Sequence, residues 1–379
     1  MPQKIERLTM VSGDFVLTGG MDRANYALAD YAARQGIGVE LVSHRVSPEL
    51  AERPGVRWRR VRRPGGLHAV GEPLLDRQGR RAIHERAGMG ALGVVNGGNC
   101  LAPAVNWVHY VHAVYGEPLE PRLRSLKHWA FTRRARRRER SALARASFVI
   151  ANSDATRAAL LELGVEPERV RTVYYGIDPE RFGPISETER ADARRSLGLG
   201  ERPAVAFVGA LGDRRKGFDT VFGAWQRLGA RSSWDADLVV VGTGPELEGW
   251  REQARRRGLS ERVRFLGFRK DVPHVLAACD ALVAPTRYEA FGLGVAEALA
   301  RGIPALVSRA AGVAELYPED LHALLVEDAD SVDELAQKLD EWRSRSALLA
   351  DPVRRLSERI RARTWDGMAA EILALCAAR

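Results

Sequence analysis

The sequence predicts an α/β fold in two domains with parallel sheets, and three observations predict it. Short apolar runs bounded by Gly, Pro or Asp alternate with longer segments of helical periodicity, the pattern of repeated strand and helix units. The scheme occurs twice, once in each half of the chain. At 379 residues the chain exceeds one ordinary core and suits two.

Taken in order, the first half is expected to hold strands over Arg7 to Val11, Gly38 to Ser43, Ala91 to Asn96, Ala104 to Val111, Phe148 to Asn152 and Val170 to Tyr174. The second half repeats them over Ala204 to Gly209, Asp237 to Val241, Val263 to Leu266, Ala281 to Ala284, Ala305 to Val307 and Ala323 to Val326. Between them lies a stretch rich in Pro, Gly and charge with little periodicity. It sets the expected domains at 1–180 and 204–363, with a linker over 181–203. Two Rossmann-like domains whose sheets face a central cleft follow, because ligands of open α/β sheets bind outside the carboxyl ends of the strands.

An apolar fraction of 45% with 28% charged residues is that of a globular protein, not a disordered one. Cys100, Cys279 and Cys376 are scattered without a CxxC pair, which points away from a disulfide framework or zinc site and toward a reducing, cytoplasmic setting. The N-terminus has no apolar signal region, and nowhere do about 18 apolar residues run together, so neither export nor a membrane span is expected.

The chemistry concentrates where the strand Ala281 to Ala284 runs through Pro285 into a glycine-bearing turn and then a helix. Glu289 stands on the loop and Glu297 near the first helical turn. The unpaired N–H groups around Phe291, Gly292, Leu293 and Gly294 lie between them. Carboxylates repel phosphate, so the arrangement suits a ligand with hydroxyls at both ends of an anionic centre, such as a sugar joined through a diphosphate to a ribose. Glu289 then addresses sugar hydroxyls, the helix N-terminus takes the diphosphate, and Glu297 accepts from the ribose. The alternative is a capping carboxylate beside a solvated helix glutamate.

The run from Glu289 to Ser308 resembles the Glu-x7-Glu signature of retaining glycosyltransferases of family 4 (glycosyl transferases group 1). Other matches fall in the family's order: Thr18-Gly-Gly-Met-Asp22, Ile150-Ala-Asn-Ser153, Tyr175-Gly-Ile-Asp178, Lys216-Gly-Phe-Asp219, Val239 to Pro245 and Arg264-Phe-Leu-Gly267. The resemblance covers nearly the whole chain. It implies the GT-B fold, with the final helix in 364–379 returning to pack on the first domain. It also implies retaining transfer of a sugar from a nucleotide diphosphate donor to an acceptor hydroxyl, without an obligatory metal. His112 is by resemblance the residue that touches the transferred sugar, and base contacts are expected from backbone near Phe268 and Arg269.

Lys216 stands out because only five of the 58 basic side chains are lysines. A cation at this strand-to-helix loop suits the negative charge that builds on a departing diphosphate. The family carries an arginine directly after the glycine that ends this strand, where this chain has Ala210; Arg214 and Arg215 are the candidates to replace it. Gly19 and Gly20 let backbone approach a ligand closely. His109, three residues before His112, is expected to be structural.

Two Asp-x-Asp strings, Asp235 to Asp237 and Asp328 to Asp330, are read as structural or capping, and no metal site is assigned. The net charge of +9 is concentrated in the arginine-dense run 122–140. That run reads either as an amphipathic helix holding the protein peripherally on an anionic membrane surface at the inner face, or as a core helix with solvated arginines. Nucleic acid is not expected as a partner, since no recognition fold or aromatic interleaving is present. Two other functions stay open: a nucleotide-sugar epimerase or hydrolase on the same fold, and a basic membrane-surface binder with a vestigial donor site.

Overall fold

The structure is a computed structural model that describes residues 4–66, 68–114 and 125–379, without the side chains of 68, 69 and 125–131. The chain divides into two compact units, Met1–Gly176 with Thr364–Arg379, and Ile177–Arg363.

The first unit is built on seven parallel strands: β1 (Arg7–Val11), β2 (Gly38–Ser43), β3 (Val56–Arg60), β4 (Ala91–Val95), β5 (Val105–Val108), β6 (Phe148–Ala151) and β7 (Val170–Thr172). Their order across the sheet is β3-β2-β1-β4-β5-β6-β7. In register, Arg7 to Val11 pair with Gly38 to Val42 on one side and Ala91 to Val95 on the other. The inner strands are apolar on both faces because helices cover both. The longer helices are α1 (Gly20–Arg34), α2 (His68–Glu85), α3 (Ser125–Arg145) and α4 (Asp154–Glu162).

β3 was not expected from sequence. Three of its five residues are arginines, which masks the alternation of Val56 and Trp58. Its place at the sheet edge accommodates them. Arg59 pairs at 2.8 Å with Glu40, which is 1% exposed on β2 and also engages Arg86.

The second unit has six parallel strands: β8 (Ala204–Val208), β9 (Asp237–Val241), β10 (Val263–Gly267), β11 (Ala281–Ala284), β12 (Ala305–Ser308) and β13 (Leu325–Val326), in the order β10-β9-β8-β11-β12-β13. Residues 181–203, expected as a linker, belong to this unit and contain α5 (Glu187–Ser196). Only Ala193 of α5 is buried, so its helical period is nearly invisible in hydrophobicity. Arginines hold it instead: Arg190 and Arg194 donate to the carbonyls of Cys279 and Ala278. The remaining helices here are α6 (Phe218–Gly229), α7 (Leu247–Arg256), α8 (Val272–Ala277), α9 (Leu293–Ala300) and α10 (Val332–Ala362), which runs on past Trp342 and through Pro352.

The last helix, α11 (Trp365–Ala377), lies in the first unit against α1, with Arg34 paired to Asp366 at 2.5 Å. Thr364 caps it by accepting from Gly367 N–H at 3.1 Å. A Cβ on Gly176 would fall 2.4 Å from the Thr364 carbonyl, so the backbones meet there at a distance only glycine allows.

Both sheets reverse their order once, between β1 and β4 in the first and between β8 and β11 in the second. Loops on either side of such a reversal diverge and leave a crevice at the carboxyl ends of the strands.

Candidate functional site

In the second unit the loop after β8 lies against the loop after β9. Gly209 N–H donates to Val241 O at 2.9 Å and Leu211 N–H to Thr243 O at 3.0 Å, carrying the ladder past the strands. Glycine makes this approach possible, since a Cβ on Gly242 would sit 1.8 Å from Gly209 O. Asp213 then accepts from Arg215 N–H and starts a single turn, Arg214–Lys216, closed by Gly217 at φ +71°. At Gly217 the chain crosses the end of β11 so closely that a Cβ would meet Pro285 O at 2.0 Å.

That crossing delivers Lys216 to the other side of the reversal, where its Nζ donates to Glu289 Oε2 at 2.6 Å. Glu289 is itself fixed by backbone: it bridges Ala311, and its carbonyl accepts from Gly312 N–H at 3.1 Å. Phe291 is buried, and its carbonyl accepts from Val313 N–H at 2.6 Å. Gly292, at φ +104°, turns the chain into α9. Nothing lies within 4 Å of where a Cβ on Gly294 would be, so the first turn of α9 opens on free space beside Leu293. Glu297 follows one turn later and is 8% exposed. A cavity of about 60 Å³ lies among Lys216, Glu289, Gly292 and Gly294. A cation, a carboxylate and helical N–H groups thus converge on it.

The two arginine candidates part ways. Arg215 is chelated by Asp213 at 2.9 and 2.5 Å. Burial alone would raise the Asp213 pKa, but the Arg215 hydrogen bonds and charge hold it below its usual value. Arg214 is 54% exposed, with only a 3.5 Å contact to Asp219. Ala210 is exposed. Phe268 is exposed on the loop after β10, and Arg269 is chelated by Asp271 at 2.8 and 2.5 Å.

Sequence reasoning missed the clamp that positions these loops. Arg287, two residues before Glu289, grips Asp219 with two bonds of 2.8 Å, reaches Asp330 at 2.7 Å and donates to Arg214 O. Three loops are tied to one guanidinium. Burial would raise the Asp219 pKa, yet the Arg287 bonds and charge, with Arg214, bring it below the usual carboxylate range. Asp219 closes the Lys216 motif and Arg287 opens the glutamate motif, but nothing in either stretch of chain points to the other.

In the first unit Gly19, at φ +84°, precedes α1 and Gly20 begins it, at the end of the β1 loop. A cavity of about 300 Å³ lies at this reversal, lined among others by Asp14, Asp22, His44, Glu72, Asn99 and His112. Asp14 is held by Arg45 at 3.0 and 2.6 Å. Burial, with the charge of Asp14, pushes the Asp22 carboxyl up to about 7 against the opposing Arg45.

His112 lies just past β5, and its ring Nδ1 sits 3.2 Å from Glu139 Oε1, which also accepts His112 N–H at 3.0 Å. The carboxylate sets Nδ1 as donor and leaves Nε2 for the cavity. Glu139, fully buried, is the residue sequence reasoning overlooked: the only carboxylate within the arginine-dense run 122–140. Residues 122–124 of that run, and the side chains of 125–131, lie outside the described residues. Of the described part, Arg136 turns inward to donate to His112 O and Arg138 pairs with Glu72 at 3.1 Å, so not all of its arginines are solvated.

His109 is structural. Asn96 Nδ2 approaches its Nε2 at 2.9 Å and Tyr175 OH its Nδ1 at 2.5 Å, and burial pushes its pKa down to about 3. The Asp-x-Asp strings are likewise occupied. Asp235 is chelated by Arg343, and Asp237 is engaged by Arg262. Asp328 accepts from Asp330 N–H, while Ser331 caps α10. Among the described residues no three His, Cys, Asp or Glu side chains gather as a metal-binding group. Among them, too, no helix is long and apolar enough to cross a membrane.

Residues 18–181 match the family model described as Glycosyltransferase Family 4, and residues 202–344 the model described as Glycosyl transferases group 1. The D-inositol 3-phosphate glycosyltransferase of Actinosynnema mirum is 30% identical over 357 residues, covering 81% of this chain and 80% of the relative. The lipopolysaccharide core biosynthesis mannosyltransferase LpsB of Rhizobium meliloti is 36% identical over 174 residues, 44% of this chain and 47% of that protein. Several of the curated relatives are matched, like LpsB, over about half their length. In fold, the chain is similar to WaaG, a glycosyltransferase involved in lipopolysaccharide biosynthesis (TM-score 0.76, 19% identity, covering 97% and 99% of the two chains). It is also similar to Anabaena HepE in complex with UDP-glucose (TM-score 0.72, 21% identity, covering 97% and 99%). These likenesses make the two parallel-sheet units a GT-B fold. With the Lys216 and Glu289 motifs brought together and 30% identity to a relative over 81% of its length, the chain belongs to glycosyltransferase family 4.

Proposed function

We propose that this protein transfers a sugar from a nucleotide diphosphate sugar to an acceptor hydroxyl with retention of anomeric configuration, and that it needs no obligatory metal. The observation that carries the reading is the 2.6 Å pair of Lys216 and Glu289 beside the first turn of α9. Without ligand the two side chains satisfy each other. A bound donor separates their tasks: Lys216 and the N–H groups of α9 take the diphosphate, Glu289 accepts from sugar hydroxyls, and Glu297 accepts from the ribose. Arg214, exposed and lightly held, supplies the second phosphate cation in place of the family arginine absent at Ala210.

As the glycosidic bond breaks, charge grows on the leaving diphosphate, and Lys216 is the cation assigned to balance it. The acceptor attacks from the same face and the departing phosphate helps take its proton, so Glu289 orients the sugar without having to form a covalent bond. His112, its ring held by Glu139, is assigned to the transferred sugar on the strength of the family resemblance.

A thermal-shift panel of nucleoside diphosphates and sugar nucleotides tests this. A ligand at about 100 times its Kd should stabilise the fold by about 2.7 kcal/mol. Stabilisation by none of them contradicts the reading, and an inverted anomer in the product, seen by NMR, removes the retaining assignment. A donor-only incubation that yields an epimer would instead favour the epimerase.

A further inference from the structure

Three arginines at the carboxyl end of β3 have no role in the reading above. Arg60 closes the strand, and Arg62 and Arg63 follow it, lining a solvent-open groove together with His44, Arg45 and Pro64. This is the end of the first sheet at which Asp14, Asp22, Asn99 and His112 also lie, the end where open α/β sheets hold ligands.

The charges there are unanswered. Arg59 on the opposite face of β3 pairs with Glu40 and Glu85, Arg53 pairs with Asp30, and Arg45 is taken by Asp14. Among the described residues, Arg60, Arg62 and Arg63 have no carboxylate within ion-pair distance. The Arg63 Nε is buried with no acceptor, and the Arg63 Cγ lies 3.0 Å from where a Cβ on Gly71 would be, so this side chain is packed rather than waving in solvent. Its guanidinium end is thereby held in place with no carboxylate among the described residues to neutralise it.

His44 and Arg63 line both the groove and the first-unit cavity that reaches His112. The His44 ring Nδ1 donates to Val61 O at 3.0 Å, which leaves Nε2 for a ligand. A ligand seated on the arginines therefore touches side chains that also wall the cavity of Asp22, Asn99 and His112. The acidic groups along the way are not open competitors, since Arg45 engages Asp14 and Arg138 engages Glu72.

We infer that Arg60, Arg62 and Arg63 form a phosphate subsite, and that the acceptor of the proposed transfer is a hydroxyl-bearing molecule that also carries a phosphate. The inference rests on the transferase reading for the word acceptor, but the subsite can be tested without it. The phosphate belongs either to a small soluble monoester or to a lipid headgroup.

Arg60 lies over the Trp58 ring at 5.5 Å, so the Trp58 share of the emission, taken as the difference from a Trp58→Phe background, is a local reporter. The full chain is titrated with glycerol 3-phosphate, with glycerol as the neutral control, and separately with phosphatidylglycerol and phosphatidylcholine vesicles. The comparison is among wild type, the triple variant Arg60→Ala/Arg62→Ala/Arg63→Ala, the single Arg62→Ala at an exposed position, and Arg57→Ala on the opposite face of the strand. Binding of the phosphate probe should weaken about tenfold or more in the triple variant, measurably in Arg62→Ala, and not in Arg57→Ala. Loss confined to glycerol 3-phosphate supports the subsite with a soluble source, and loss confined to phosphatidylglycerol vesicles supports it with a lipid source. Equal binding by wild type and both arginine variants in every arm, or no binding of either phosphate probe to wild type, overturns it. Nucleoside diphosphate binding, measured on the same samples, reports the second unit. Its absence alongside an arginine-dependent phosphate signal refutes the transferase reading and leaves the subsite standing.

Discussion

Lys216 Nζ and Glu289 Oε2 are 2.6 Å apart across the point where the order of the second sheet reverses, one on the loop after β8 and the other on the loop after β11. The side chains are 31% and 26% exposed, so the pair adds little to folding stability, and its value lies in placement.

Replacing Lys216 by Ala should lower kcat/KM for sugar transfer by about 100-fold or more while changing the free energy of unfolding by no more than about 1 kcal/mol. Glu289→Gln should behave in the same way. Steady-state kinetics with urea unfolding of each variant checks both, and full activity in either folded variant rejects its assigned role.

Gly217→Ala should damage fold and activity together. The added Cβ would fall 2.0 Å from Pro285 O at a φ of +71°, so the loop carrying Lys216 must move. A loss of about 2 kcal/mol or more in thermal or urea unfolding is expected. Weakened donor binding should accompany it.

Arg287→Met, which keeps bulk but removes the clamp on Asp219 and Asp330, should raise KM for the donor more than it lowers kcat, because Arg287 orients loops and is not assigned a contact with the reacting atoms. Water can solvate much of both freed carboxylates, so the cost to stability should stay within about 1 kcal/mol. Unchanged KM in the variant would assign the clamp a purely structural role.

His109 gives an acid dependence. Its folded pKa of about 3 lies below the unfolded value of about 6.5, so its contribution is present above about pH 6.5 and is lost as the pH falls toward 3. His109→Gln should be less stable at pH 8 by about 1–3 kcal/mol, with a flatter loss between pH 6.5 and 4. Urea midpoints at a series of pH values measure both.

Asp22 acts in the opposite direction. Its carboxyl stays protonated in the fold up to about pH 7, against 3.8 as the ordinary value, so the stability it contributes is full below about pH 4 and is lost as the pH rises through 7. Asp22→Asn, neutral at every pH, should match wild type at pH 4 and exceed it at pH 8 by about 1–2 kcal/mol after allowing for solvent screening. A variant less stable than wild type at pH 8 would contradict this.

The parts of the site that sequence exposed are those whose role is written in local chain: an apolar strand, a glycine turn and a carboxylate at a helix start mark Glu289 and Glu297 without help from distant residues. Arg287 with Asp219, and Glu139 with His112, escaped because each is a pair made by tertiary contact. In an arginine-rich chain one more arginine near a motif carries little information, and a lone glutamate inside a basic run looks solvated. The fold shows the same division. The buried strands announced themselves by hydrophobicity, whereas β3 and α5 are anchored by arginine and carry their structure in a part of the alphabet that hydrophobic periodicity does not read.

The placement of α11 bears on synthesis as well as on architecture. A ribosome releases Met1–Gly176 early, but the piece that covers α1 is Thr364–Arg379, which emerges only after the whole of the second unit has been made. The first unit must therefore wait, with that face of α1 bare, while the second folds. The nascent chain is most exposed to chaperones and proteases during this interval, and it ends only with the last helix.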